Sequence, residues 1–151
     1  MEGVIRFHSF DVEKISYSKN KRYIQKNDFE LEPQFLLKIV QQKENTNKFN
    51  IVLGVRVGIN EEEFPYKAQV GIRGYFELIE NIHTNGEELM RFLLTNGSAI
   101  LFPYLRSILT DVTSKSDHNP IILPTLNFQR LIEKQDLQSL ILTSDEYQEY
   151  E

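Results

Sequence analysis

The chain has 151 residues, 40% of them hydrophobic and 26% charged, an ordinary soluble composition that at this length can close one core over roughly two-thirds of the unfolded surface. It has no cysteine, which excludes a disulfide framework, a thiolate zinc site and a cysteine nucleophile. With 17 basic against 22 acidic residues the formal charge is −5, which argues against nucleic acid as the main partner.

No apolar run approaches the ~20 residues that span a bilayer, and the opening MEGVIRFHSFDVEK lacks the basic-then-apolar order of a signal peptide. A cytoplasmic protein is the expectation.

Residues 3–18 read as a bent strand. Ile5 and Phe7 share one phase, Phe10 and Val12 the other, and Ile15 and Tyr17 return to the first. A phase change in a strand implies a bulge, because a one-residue slip turns every side chain over. Residues 19–33 form a long connection with Lys19, Lys21, Arg22, Lys26 and Pro33, and with apolar Tyr23, Ile24, Phe29 and Leu31. Loops of that length are usually functional or disordered.

Phe35, Leu37 and Ile39 then alternate, with Leu36 and Val40 apolar too. Such a strand lies mid-sheet or turns its second face to another subunit. Phe49 to Ile59 and Tyr66 to Leu78 alternate cleanly. Polar turns at Lys43–Asn47 and Asn60–Glu63 join the three runs into an antiparallel meander.

The second half turns helical. Thr84 and Glu87 have capping-box spacing, Leu89, Phe92 and Leu93 follow, and Asn96-Gly97 reads as a stop. A second helix is expected from Ser98, with Leu101, Leu105, Ile108 and Val112 on one stripe and Pro103 in its opening turns. Residues 113–126 form a polar, then proline-containing segment. Asn127 can cap a third helix carrying Phe128, Leu131 and Ile132. The tail, residues 144–151, is acidic and expected to be flexible. Residues 1–151 read as one α+β domain.

Catalytic signals are poor. Asp117-His118 could be a base beside its orienting carboxylate, but sequence neighbours in a loop rarely face each other, and no nucleophile motif accompanies them. Gly71 to Gly74 lies within an alternating strand, where close packing of the backbone explains it better than a nucleic-acid loop. No metal-ligand spacing and no cofactor motif is found. What remains is apolar side chains in two irregular segments, near Tyr23 to Leu31 and Ile121 to Leu126. They either pack on the domain's own sheet or build a groove for extended peptide.

Ile100-Leu-Phe-Pro-Tyr-Leu-Arg106 with Ser107 to Val112 resembles the signature helix of SecB-type export chaperones. Ile122-Leu-Pro-Thr-Leu-Asn-Phe128 resembles their proline loop, and Tyr66 to Phe76 and Phe49 to Ile59 their fourth and third strands. The resemblance spans roughly residues 4–135. It implies a four-stranded antiparallel sheet with helices on one face, assembled into dimers or tetramers. It implies an ATP-independent holdase, needing no cofactor, whose clients are unfolded or precursor polypeptides. Carried over, the client groove comprises Phe29 and Leu31 in the crossover segment, Tyr66, Ala68 and Val70 on a strand, and Ile121, Leu123 and Leu126 on the proline loop.

Export members dock the translocase motor ATPase through an acidic and apolar sheet surface. The matching positions are Lys19, Tyr23, Lys67 and Gln69, none of them acidic. The resemblance therefore also fits a chaperone dedicated to one client, such as an antitoxin, without an export role. An enzyme built on Asp117 and His118 is the remaining class.

Overall fold

The computed structural model describes residues 4–23, 32–42, 44–45, 47–58, 64–80 and 85–143. Four long strands come first: β1 (Ile5–Lys19), β2 (Gln34–Gln41), β3 (Lys48–Val57) and β4 (Tyr66–Leu78). Helix α1 (Gly86–Thr113) follows, then short helices α2 (Phe128–Glu133) and α3 (Leu137–Leu140), and a three-residue strand β5 (Ile141–Thr143). The sheet order is β1-β4-β3-β2-β5. β1 to β4 pair antiparallel, and β5 adds in parallel to β2. The expected four-stranded antiparallel sheet is thus present, with a short fifth strand that no alternation could announce in three residues. The turn residues Lys43 and Thr46, the loop residues 59–63, and the acidic tail lie outside the described residues.

The alternating residues do what their period requires. Ile39, Ile51, Leu53, Val55, Val70, Ile72 and Phe76 point to one face, where they bury against Leu93, Leu94, Leu101, Leu105 and Leu109 of α1. Phe128, Ile132, Leu137 and Leu140 complete that core, so every described helix lies on one side of the sheet. By length and composition α1 could cross a bilayer, but its apolar stripe is occupied by the sheet.

Two helices were expected where α1 runs unbroken for 28 residues. Its start is capped by Asn85, whose side chain accepts from the Glu88 amide at 2.9 Å; Thr84 lies outside the described residues. Asn96-Gly97 does not end it. The Asn96 side chain donates back to the Phe92 carbonyl at 2.8 Å. Gly97 is a packing residue: a Cβ there would stand 2.8 Å from Ile51 Cγ1. Gly74 on β4 plays the matching part, since a Cβ would meet Leu101 Cδ2 at 2.6 Å. Close approach of helix to sheet, rather than chain reversal, selects both glycines. Pro103 therefore sits inside the helix, on its exposed side. Asn127 caps α2 as expected, accepting from the Arg130 amide at 3.1 Å.

Overpacking of a filled core typically costs about 1–3 kcal/mol. Gly97→Leu should lower the unfolding free energy by that amount and the urea midpoint with it, despite leucine's better helix propensity. Gly86→Ala, at a position with open space around it, should leave the midpoint unchanged or raise it. An unaltered midpoint in Gly97→Leu would show that the helix stands farther from the sheet.

Candidate functional site

β1 is an edge strand of 15 residues. One side pairs with β4 and, among the described residues, the other has no strand, leaving a row of backbone donors and acceptors open. Its pairing slips twice, between Phe7 and Ser9 and between Val12 and Lys14. These two bulges are the phase changes seen in the sequence. They return Phe7, Phe10, Val12, Ile15 and Tyr17 to one face, opposite Phe76, Gly74, Ile72, Val70 and Ala68. That face is the helix side.

α1 covers only the first part of this apolar row. The Tyr104 ring lies 4.5 Å from Phe10 and 6.0 Å from Phe7, centroid to centroid. Beyond Phe10 the row is uncovered: Val12 is 44% exposed, Ile15 53% and Tyr17 37%, with Tyr104 itself 41% exposed. Tyr17 leans on Tyr66, with centroids 5.5 Å apart. The result is an apolar strip beside an open strand edge, bounded by Tyr104 at one end and by the loop after α1 at the other.

That loop is held by two threonines on the last turns of α1. Thr110 Oγ1 donates to the Ile121 carbonyl at 2.7 Å, and the Ile121 amide donates to Thr113 Oγ1 at 2.9 Å. Both backbone groups of a buried residue are thereby satisfied by side chains, as a segment without strand partners requires. Thr113 also donates to the Leu109 carbonyl at 2.8 Å and meets the Tyr66 phenol. Burial pushes the Tyr66 hydroxyl up to about 12; the bond to Thr113 opposes this and nearby Tyr17 adds to it. Ile121 and Leu123 point into the core, while Ile122 between them is 66% exposed. The connection after β1 is anchored at its start: Asn20 donates its amide to Pro65 O at 2.9 Å and its side chain to Phe64 O at 2.8 Å. Tyr23 then meets the His118 ring edge-on at 5.7 Å.

Residues 9–139 match the family described as preprotein translocase subunit SecB. The chain belongs to the SecB family. An uncharacterized protein of Methanocaldococcus jannaschii is 26% identical over 82% of this chain and 79% of its own. The protein-export protein SecB of Anaplasma phagocytophilum is 28% identical over 58% of this chain and 56% of its own. The chain thus spans about half the length of that export protein. The fold is that of the SecB-like chaperone Rv1957 of Mycobacterium tuberculosis, solved in complex with a ChAD peptide from the HigA1 antitoxin. The TM-score is 0.65 at 16% identity, covering 81% of this chain and 90% of the other.

Within this SecB fold the expected site residues separate. Phe29 and Leu31 lie outside the described residues. Tyr66, Ala68 and Val70 are fully buried, as are Ile121 and Leu123, and Leu126 is half-buried against the core. They do face the helix side, but β4 is an inner strand roofed by α1 and the proline loop, so these positions are core rather than open wall. The accessible apolar surface lies one strand over, on Val12, Ile15 and Tyr17. The sequence carried that signal in the twice-shifted alternation of residues 3–18.

The four docking positions also divide between two faces. Lys67 and Gln69 sit on the side of β4 away from the helices. Lys19 pairs with Tyr66 and so shares the helix side, where Tyr23 also packs. His118 does meet Asp117, at 3.5 Å, but its ring packs on Tyr23, and Ser116 bonds its main chain rather than its ring.

The burial of the Tyr66 phenol has a pH signature. Tyr66 ionises near 10.0 when unfolded and near 12 when folded. Above pH 10 the unfolded chain therefore binds fewer protons, and stability present below pH 10 falls by up to ~1.4 kcal/mol per pH unit until about pH 12. Tyr66→Phe should remove this part of the alkaline loss in urea titrations between pH 9 and 12. An identical alkaline slope in both proteins would place the phenol in water.

Proposed function

We propose that the chain is an ATP-independent holdase that keeps extended, unfolded or precursor polypeptides from collapsing. It acts in the cytoplasm as a dimer or tetramer, without cofactor or catalytic step. The observation that carries this reading is the uncovered half of β1, where exposed apolar side chains lie beside open backbone groups. An unfolded chain offers the complements of both. Main-chain pairing to a strand edge gives affinity without demanding a sequence. Each apolar side chain buried contributes about 1.5–3 kcal/mol, so a few contacts suffice for micromolar holding. Membership of the SecB family supports the reading, and so does the peptide bound by the Mycobacterium tuberculosis neighbour.

That same neighbour favours a second reading, in which one dedicated client such as an antitoxin replaces a broad set. Relatives named as export proteins favour a link to export. Docking of the translocase motor through the face bearing Lys67 and Gln69 would be weak here, because a surface that is acidic in export members is basic at this position.

Replacing Ile15 and Tyr17 together by Ser should weaken suppression of aggregation of a reduced model protein about tenfold or more, without ATP and with an unchanged helical circular-dichroism signal. Full activity in that variant would place the client elsewhere. Leu123→Ser is unsuited to this test, since Leu123 is fully buried and its loss would destabilise the fold itself by about 2–5 kcal/mol. Light scattering on the same samples should give a dimer or tetramer. Pull-down from native cytosol distinguishes many clients, one co-purifying neighbour and the export motor.

A further inference from the structure

The face of the sheet turned away from the helices has a charge pattern the client strip does not use. We propose that this face binds an acidic, extended polypeptide segment of another protein, with its carboxylates held by Arg56 and Lys67 and by Lys14 on the neighbouring strand.

The placement follows from register. Arg56 on β3 stands opposite Gln69 on β4, and Lys67 is the next residue of β4 on the same face. Lys14 stands opposite Gly71, which itself stands opposite Gly54. The centre of the face is thus small, a glycine pair, and its rim is basic. Arg56 and Lys67 are exposed and Lys14 half-exposed.

The acids of this face are already engaged. Asp11 accepts from the Tyr75 hydroxyl at 2.8 Å, Glu13 pairs with Arg73 at 3.2 Å, and Glu77 meets His8 at 3.2 Å. The cations are not matched in this way. Among the described residues, Arg56 bonds only the neutral amide of Gln34, at 2.9 Å, and Lys67 has no carboxylate within ion-pair distance. Among the described residues, this leaves a patch of cations without carboxylate partners on a chain of net charge −5.

Peptide fits this patch better than nucleic acid. Arg56 and Lys67 are offset by one same-face step along the sheet, roughly 7 Å. That is the spacing of alternate side chains on an extended strand, so a segment with carboxylates at every second residue meets both. A continuous phosphate backbone would run into Asp11, Glu13 and Glu77 on the same face. The surface is separate from the strip on β1, and its occupancy does not depend on the holdase reading.

The test is fluorescence anisotropy of a fluorescein-labelled peptide alternating Glu and Ala, titrated with the full chain at low salt. Saturable binding is expected, weakening as salt rises and falling about tenfold or more in Arg56→Glu with Lys67→Glu. Arg56→Gln with Lys67→Gln should give an intermediate loss, and keeps the test decisive if charge reversal impairs folding. Equal binding by the wild type and the Gln pair would overturn the proposal. So would preference for a Lys and Ala peptide or for an RNA oligonucleotide. Binding that appears only after Asp145, Glu146, Glu149 and Glu151 are neutralised would assign the face to the chain's own tail and overturn it as well.

Discussion

A single helix can roof only about two strands. Its diameter with side chains is roughly 10–12 Å, against about 4.8 Å between neighbouring strands. Much of this molecule follows from that mismatch. α1 lies tightly on β3 and β4, where Gly97 meets Ile51 and Gly74 meets Leu101. On the β2 side α3 packs against the strand, while α2 packs against α1. On the other side Tyr104 reaches over Phe7 and Phe10 and no farther. The rest of β1 keeps its apolar row and loses its roof, which turns an ordinary half-buried strand into a surface able to take a polypeptide.

The polar contacts serve the same arrangement. A loop with no strand partner would leave the Ile121 amide and carbonyl unsatisfied in the core, at a penalty of about 1–3 kcal/mol each. Thr110 and Thr113 supply both partners from α1. Through Thr113 and Tyr66 the loop, the helix end and β4 are joined at the point where β1 leaves the sheet. The edge of the apolar strip is therefore a fixed wall. The bulges at His8 and Glu13 complete the design, since without them Val12 would face the charged side of the sheet.

Strand positions were legible because period two survives in β3 and β4 without interruption, and in β1 once its two phase changes are taken as bulges. The family was legible from the Leu-Phe-Pro-Tyr helix and the proline loop together. Alternation reveals which face a residue joins but not what lies above it. Alternation groups Tyr66, Ala68 and Val70 on one face, but it does not show that α1 and the proline loop bury them. Asn96-Gly97 carried a stop signal whose glycine answers to Ile51, far away in sequence, and α1 runs through it. β5 is three residues long and owes its existence to the edge of β2. Lys67 and Gln69 share a face that Lys19 and Tyr23 do not, a distinction that follows from the pairing of Lys19 with Tyr66 and of Ser18 with Lys67.

The central claim is that unfolded polypeptide is held along β1 between Phe10 and Tyr17. Hydrogen exchange measured by mass spectrometry on the full chain, with and without a permanently unfolded client, tests it directly. The account predicts slowed exchange in the peptides covering Val12 to Tyr17, where edge amides gain partners. The β3 core should stay unchanged. Protection confined to α1, α2 or the far face of the sheet, with β1 unaltered, would contradict it.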